Sequence, residues 1–296
     1  ATDIRAMRTL FITGRILRRD RNEMERIFAE IQERLEEELD YYKEAANLEY
    51  FRRELSHIEG LRVPGTYGSL CTERVLTMDR IIGASLDQFL ESATPEARQR
   101  AGTILAASFH EQVYRLRALH ADPHGGNYLF HTDGTVGLID FGCVKRYDLW
   151  WMASYARLAL CIVNGDRVGF RRLSREIEVL CTDQDTEAEE LLWRLAESIC
   201  RPLRLPSYQC GTDTDTIPAE LKKLAPEVVR YPELRSPPEL VYLHRALGGI
   251  YAMLRRLEHQ FDYADIFRTH ANYVISVADG DLEEGSPVGW VPKSEG

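Results

Sequence analysis

Two short polar segments in the middle of the chain restrict the folds open to it more than any other feature. The first is HADPHGGN, which runs from His120 to Asn127, and the second is GLIDFG, which ends at Gly142. Asp122 and Asn127 have the D-x-x-x-x-N spacing of a kinase catalytic loop, and Asp140 follows Asn127 by thirteen residues. Phosphoryl transfer depends on positioning and charge neutralisation more than on covalent chemistry. Two loops that carry these oxygen ligands therefore predict a kinase-type site.

Each of the three polar residues has a side chain suited to one part of that chemistry. Asp122 is the candidate catalytic base, because its carboxylate can accept the proton of an attacking hydroxyl. Asn127 and Asp140 are candidate metal ligands, since an amide oxygen and a carboxylate suit the hard cation Mg²⁺. The sequence thus predicts ATP as the nucleotide and Mg²⁺ as the cofactor.

The residues between Asn127 and Asp140 are predicted to form a β-hairpin. The apolar segments 128–130 and 136–139 flank HTDG, a turn that ends in Gly134. A hairpin brings its two flanking residues to the same end, where a metal could lie between them. The sequence therefore predicts that the two loops form one site.

Three further residues are predicted to support these loops. Gly142 lets the backbone turn sharply after Asp140. His120 is expected to have a structural role, through a hydrogen bond to the backbone near Asp140. His124 lies two residues after Asp122 and either contacts phosphate or substrate or packs within the loop.

The catalytic loop and an upstream helix together resemble the UbiB-like (ADCK-type) family of atypical kinases. The family has an E-x-D motif that leads into E-A-x-N on the helix called αC in kinases. In the segment ELDYYKEAAN, the matching positions are Glu38, Asp40 and Glu44. Acidic residues on a helix usually form a solvated face. The resemblance implies instead that these three support the nucleotide site.

A third match is VLTMDRIIG, at 75–83, which is similar to the family's hinge strand. It implies that the backbone of Met78, Asp79 and Arg80 faces the adenine of a bound nucleotide. The matched motifs extend over about residues 30–145.

The chain also departs from the family pattern. The family's K-x-G-Q extension, alanine-rich loop and phosphate-binding strand lysine have no visible counterpart in residues 1–43. Lys43 adjoins Glu44 on one helix, and neighbouring helix positions point about 100° apart, so it cannot face that glutamate. Gly125 stands where the family usually has proline. The resemblance implies a kinase domain without its N-terminal part.

The chain is predicted to be an α+β protein with a protein-kinase-like fold, a helix-dominated lower lobe and a partial upper lobe. The predicted division is a partial upper lobe with an αC-like helix and hinge strands (1–80), a lower lobe (81–278) and a disordered tail (279–296). Paired strands are expected at 61–67 and 74–78. Apolar periodicity predicts helices at 3–19, 22–57, 85–91, 94–119, 148–164, 166–181, 185–200, 217–230, 237–259 and 262–278.

Composition restricts the partners and the compartment. A net charge of −10 argues against nucleic acid as a main partner. The cysteines form no C-x-x-C pair, which is unfavourable for zinc. Several lie in apolar helical segments, where they would pack as small hydrophobic side chains, and this favours a reducing compartment. No signal peptide and no run of about 18 apolar residues is evident. We therefore predict a cytoplasmic protein without a transmembrane span, peripheral at a membrane surface if it acts on lipids.

Three functions agree with these patterns. The first is a UbiB-like kinase or ATPase; the resemblance implies a link to isoprenoid-quinone biosynthesis or lipid homeostasis, with lipid or quinone-pathway proteins as partners. The second is an inactive, pseudokinase-like scaffold, which the missing strand lysine favours. The third is a small-molecule phosphotransferase, because those enzymes also use an H-x-D-x-x-x-x-N loop.

Overall fold

The computed structural model describes residues 40–182 and 187–291, which form an α+β structure with many helices and few short strands. The helix predicted at 3–19, the first part of that predicted at 22–57 and Glu38 lie outside the described residues. The helices are α1 (Tyr41–Glu54), α2 (Leu86–Ser92), α3 (Pro95–His110), α4 (Leu149–Asn164), α5 (Arg167–Glu176), α6 (Glu187–Ile199), α7 (Ile217–Val228), α8 (Pro238–Arg256) and α9 (Tyr263–Asp279). The strands are β1 (Leu61–Arg62), β2 (Ala118–His120), β3 (Tyr128–Phe130), β4 (Val136–Leu138), β5 (Val144–Arg146), β6 (Tyr208–Gln209) and β7 (Gln260–Phe261).

Helix α1 begins where an aspartate caps it. The Asp40 carboxylate accepts hydrogen bonds from the main-chain N–H groups of Tyr42 (3.1 Å) and Lys43 (3.3 Å), which would otherwise lack helical partners. The helix ends at Glu54, so its predicted continuation to residue 57 is wrong. Its buried face carries Leu48 and Phe51.

The predicted β-hairpin is confirmed. Strands β3 and β4 pair antiparallel, with Tyr128 opposite Leu138. Strand β1 joins the other edge of β4 in parallel orientation. The prediction of paired strands at 61–67 and 74–78 is only partly right, since the two segments share a single bridge between Thr66 and Met78. Pro64 has no N–H to donate to a ladder, which ends the first strand early.

The helix predicted at 94–119 is too long. Helix α3 ends at His110, a single π-helical turn follows at Glu111–Arg115, and Arg117 has a positive φ of 47°. The chain then enters β2, which pairs antiparallel with β5. This pairing places the start of the catalytic loop beside the residues that follow Asp140, because the Ala121 N–H donates to the Cys143 carbonyl at 2.9 Å.

The lower lobe is a helical core around α3, α4, α8 and α9. Helix α4 begins at a cap formed by Asp148, whose carboxylate accepts a hydrogen bond from the Trp150 N–H at 2.8 Å. The chain leaves this helix at Gly165, which has a positive φ of 73°. Among the described residues, no helix has both the length and the apolar character needed to cross a lipid bilayer.

The disorder predicted for residues 279–296 stays a prediction, but the described part of this segment, as far as residue 291, contacts the rest of the structure. The Gly285 N–H donates to the Tyr273 hydroxyl at 3.1 Å, and the Trp290 indole N–H donates to Asp265 at 3.2 Å. The Trp290 ring also lies 6.0 Å from that of Phe261. Aromatic contacts and these hydrogen bonds hold a segment whose polar composition favours disorder.

Candidate active site

The catalytic loop is closed by hydrogen bonds among its own residues. The Asn127 side-chain NH₂ donates to the Asp122 carbonyl at 2.9 Å, and the Asn127 main-chain N–H donates to the His124 carbonyl at 2.9 Å. The exposed His124 ring accepts from the Gly126 N–H at 3.1 Å, a contact within the loop. Because its nitrogen donates to Asp122, the Asn127 amide oxygen is left as an acceptor.

The D-F-G turn adjoins this loop through the hairpin. The Ile139 N–H donates to the Asn127 carbonyl at 3.0 Å, which brings Asp140 next to the end of the catalytic loop. The Asp140 carboxylate accepts from the Gly142 N–H at 2.9 Å. The structure thus brings together the two predicted metal ligands.

Helix α1 covers the D-F-G turn with one face. Asn47 donates from its side chain to the Phe141 carbonyl at 3.0 Å. One turn later, the Phe51 ring stacks on that of Phe141. Residues three and four apart share a helix face, so Glu44 also points toward this turn. Asn47 was not among the predicted site residues, although its place in the E-A-x-N segment is a signal that could have identified it.

Glu44 lies in an acidic and partly buried environment. Burial raises the pKa of its carboxyl, the nearby Asp140 raises it further, and a hydrogen bond from the Phe141 N–H opposes both. Two adjoining carboxylates favour a bound cation, because a cation relieves their repulsion.

His120 does not form the predicted hydrogen bond to the backbone near Asp140. Both ring nitrogens are buried without a hydrogen-bond partner among the described residues. The ring packs edge-on against Phe141 at 5.6 Å, and burial lowers the pKa of His120 to about 4. Its support of the loop is therefore apolar packing by a neutral ring.

The predicted hinge residues lie on a bridged segment. The Asp79 N–H donates to the Gly65 carbonyl at 2.9 Å, and the Asp79 carboxylate accepts from the Tyr67 hydroxyl at 2.9 Å. Met78 lies opposite Thr66 in the bridge, but the two residues exchange no main-chain hydrogen bonds. The main-chain N–H and C=O of Met78 therefore point away from Thr66. Arg80 is exposed. Asp40, predicted to support the nucleotide site, serves as the cap of α1 described above.

Sequence reasoning missed the contribution of α8. The Arg245 guanidinium forms an ion pair with the Asp122 carboxylate. One turn later, Gly249 lies against Pro123, and a Cβ at Gly249 would be 2.9 Å from the Pro123 carbonyl oxygen. The two contacts place α8 along the catalytic loop. The sequence predicted a helix at 237–259 but gave no sign of the loop that it contacts.

The donor groups fit magnesium bound together with a nucleotide. Mg²⁺ is usually held by one or two carboxylates, water and substrate phosphates. Asp140 supplies a carboxylate and Asn127 an amide oxygen. No cluster of three or more His, Cys, Asp or Glu side chains that could hold a metal occurs within 40–182 and 187–291. Phosphate oxygens and water would therefore complete the coordination.

The catalytic loop, the D-F-G turn and the helix over them define a protein-kinase-like protein. Solved structures agree: the complex of Rv3197 with erythromycin from Mycobacterium tuberculosis superposes with a TM-score of 0.69, covering 89% of this chain and 66% of that chain at 20% identity. The predicted α+β kinase-like fold is thereby confirmed. The chain belongs to the ABC1 atypical kinase-like domain family. The model of that family matches residues 1–174, which is more than half of this chain.

Curated relatives confirm the resemblance to UbiB-like kinases. The mitochondrial atypical kinase COQ8B of Rattus norvegicus is 29% identical over 265 residues, covering 85% of this chain and 49% of that protein. The probable protein kinase UbiB of Xylella fastidiosa is 28% identical over 244 residues, covering 80% of this chain and 43% of that protein. The chain spans less than half the length of these relatives. The division at residues 80 and 278 stays a prediction.

Proposed function

We propose that this chain binds Mg-ATP and transfers or hydrolyses its terminal phosphate. The observation that carries the proposal is the meeting of Asn127 and Asp140 at one end of the hairpin, beside Asp122. Asp140 and Asn127 would hold Mg²⁺, which neutralises phosphate charge when bound. Asp122 would accept the proton of the acceptor hydroxyl or water.

Helix α1 would keep the D-F-G turn in position for this chemistry. Asn47 and Glu44 bind the main chain of Phe141 on its C=O and N–H sides, and these bonds would hold the neighbouring Asp140 in position. The main-chain groups of Met78 that point away from Thr66 would contact adenine.

Calorimetric titration with ATP in the presence and absence of Mg²⁺ tests the proposal. We expect magnesium-dependent binding by the wild type and its loss in Asp140→Asn. Asp281→Asn is a matched control, because Asp281 is exposed and follows α9. No binding by the wild type, or equal binding by Asp140→Asn, would contradict the proposal.

We also infer a role in isoprenoid-quinone biosynthesis or lipid homeostasis, which the UbiB-like resemblance implies. Its partners would be a membrane surface or proteins of that pathway. Quinone content can be measured by chromatography in cells that lack the chain. Restoration by the wild type but not by Asp140→Asn is expected; equal restoration by both would show that the role does not need the metal site.

An inactive scaffold is the second candidate. The ion pair between Asp122 and Arg245 favours this function, because Arg245 engages the carboxylate that would act as the catalytic base. Phosphate release from ATP distinguishes the two. Turnover that is lost in Asp122→Asn would exclude the scaffold.

A further inference from the structure

Helix α8 is fixed against the catalytic loop at close range. Gly249 has no side chain, and only for that reason can the helix approach Pro123 as it does. Nearer the start of α8, Tyr147 donates from its hydroxyl to the Glu239 carbonyl at 3.3 Å. The helix is thus held on both sides of Arg245, so the backbone at Arg245 lies beside the catalytic loop.

The Arg245–Asp122 ion pair is not buried. The Arg245 side chain is 54% exposed and that of Asp122 is 42% exposed. Exposed ion pairs contribute little to stability, since solvent screens them and ordering two side chains has an entropic cost. Fold stability therefore does not account for an arginine at this position.

The charge of the site gives a better account. Asp122, Asp140 and Glu44 are all acidic, and the phosphates of ATP would add negative charge. Within the described residues, Arg245 is the only basic side chain that forms an ion pair with any of these three carboxylates. The lysine nearest in sequence to the D-F-G turn, Lys145, lies 4.0 Å from Glu239 instead.

We propose that Arg245 binds the terminal phosphate of ATP, as a cation supplied from α8 of the same chain. This rests on the proposed function and deepens it. A guanidinium has five N–H donors, and the bond to Asp122 uses Nη2. The remaining donors can meet phosphate oxygens in a forked geometry while Asp122 stays in place. Phosphoryl-transfer enzymes commonly use an arginine in this way.

The test compares two nucleotides that differ in the terminal phosphate. Calorimetry measures the affinity of the wild type, Arg245→Met and Arg245→Lys for Mg²⁺ with ADP and with the non-hydrolysable β,γ-imido analogue of ATP. We expect Arg245→Met to weaken analogue binding about tenfold or more, the effect of losing a charge-assisted hydrogen bond, and to leave ADP binding unchanged. Arg245→Lys should restore part of the loss.

Arg256→Met is the matched control, because Arg256 lies on the same helix, is 47% exposed and pairs with Asp87 away from the site. It should change neither affinity. Equal effects of Arg245→Met on both nucleotides, or none on either, would overturn the role of Arg245 while leaving the proposed function standing. Failure of the wild type to bind either nucleotide would overturn both.

Discussion

The Phe51 ring on α1 stacks on the Phe141 ring of the D-F-G turn, with centroids 4.5 Å apart and planes 20° from parallel. Both side chains are fully buried. The stack joins the buried face of α1 to the segment that carries Asp140. Folding stability and the position of Asp140, the candidate metal ligand, are therefore coupled at this contact.

Replacing Phe51 should affect both properties. Phe51→Leu should reduce the free energy of unfolding by about 1 to 3 kcal/mol, because it removes a stacked ring from a packed core, and should weaken magnesium-dependent ATP binding. Urea titration and calorimetry measure the two effects. Tyr42→Leu, on the same helix at a side chain 57% exposed, is the control and should change neither. Normal ATP affinity in Phe51→Leu would show that the stack does not position Asp140.

The Asn47 amide provides a second test of the same link. Asn47→Asp keeps the shape but removes the donor to the Phe141 carbonyl and adds negative charge near Glu44 and Asp140. We expect the free energy of unfolding to fall by about 1 kcal/mol or more and ATP affinity to fall with it. Unchanged unfolding by urea would show that this hydrogen bond contributes nothing.

The close approach of α8 to the catalytic loop can be tested with two neighbouring glycines. Gly249→Ala would place a methyl group against Pro123, so we expect a loss of about 1 to 3 kcal/mol in stability and weaker binding of the ATP analogue. Gly248→Ala meets open space, where alanine should stabilise the helix by about 0.5 to 1 kcal/mol. Thermal unfolding of the two variants should therefore shift in opposite directions. A shift in the same direction would contradict the contact.

Acidification should destabilise the protein through buried histidines. Burial lowers the pKa of His110 and His259 to about 3, and that of His120 and His244 to about 4. These histidines take up protons near pH 6.5 in the unfolded chain but not in the folded chain. The free energy of unfolding is therefore highest above that pH. Below it, the free energy of unfolding falls by about 1 kcal/mol per pH unit for each histidine. Urea unfolding at about pH 7.5 and about pH 5 measures the slope, and His244→Gln should reduce it. A flat profile would show that the histidines accept protons in the folded state.

A second acid transition should occur at lower pH. Burial alone would raise the pKa of Glu111, but hydrogen bonds from His270 and Arg115 lower it to about 2. Its contribution is therefore present above the unfolded value near 4.5 and is lost as pH falls from there toward 2. In Glu111→Gln, the free energy of unfolding should fall less between about pH 4.5 and about pH 3 than in the wild type. The same fall in both proteins would show that Glu111 does not contribute to it.

Local patterns in the sequence predicted the residues at the centre of the candidate site. Asp122, Asn127 and Asp140 lie within a short segment whose spacing and hairpin turn fix their arrangement. Pairings between distant residues could not be read in this way: Arg245 is 123 positions from Asp122, and no periodicity along α8 shows which loop it meets. The length of α3 was overestimated for a similar reason, because pairing with β5 draws Ala118–His120 into a strand.

The contact between α8 and the catalytic loop also determines which fragments are worth studying. The family model matches residues 1–174, but Gly249 and Arg245 lie well beyond that limit. A fragment cut at residue 174 would expose Pro123 to water and leave the Asp122 carboxylate without its counter-charge. Any shortened version made for crystallisation or ligand screening therefore has to extend past Arg256, the last residue of the helix.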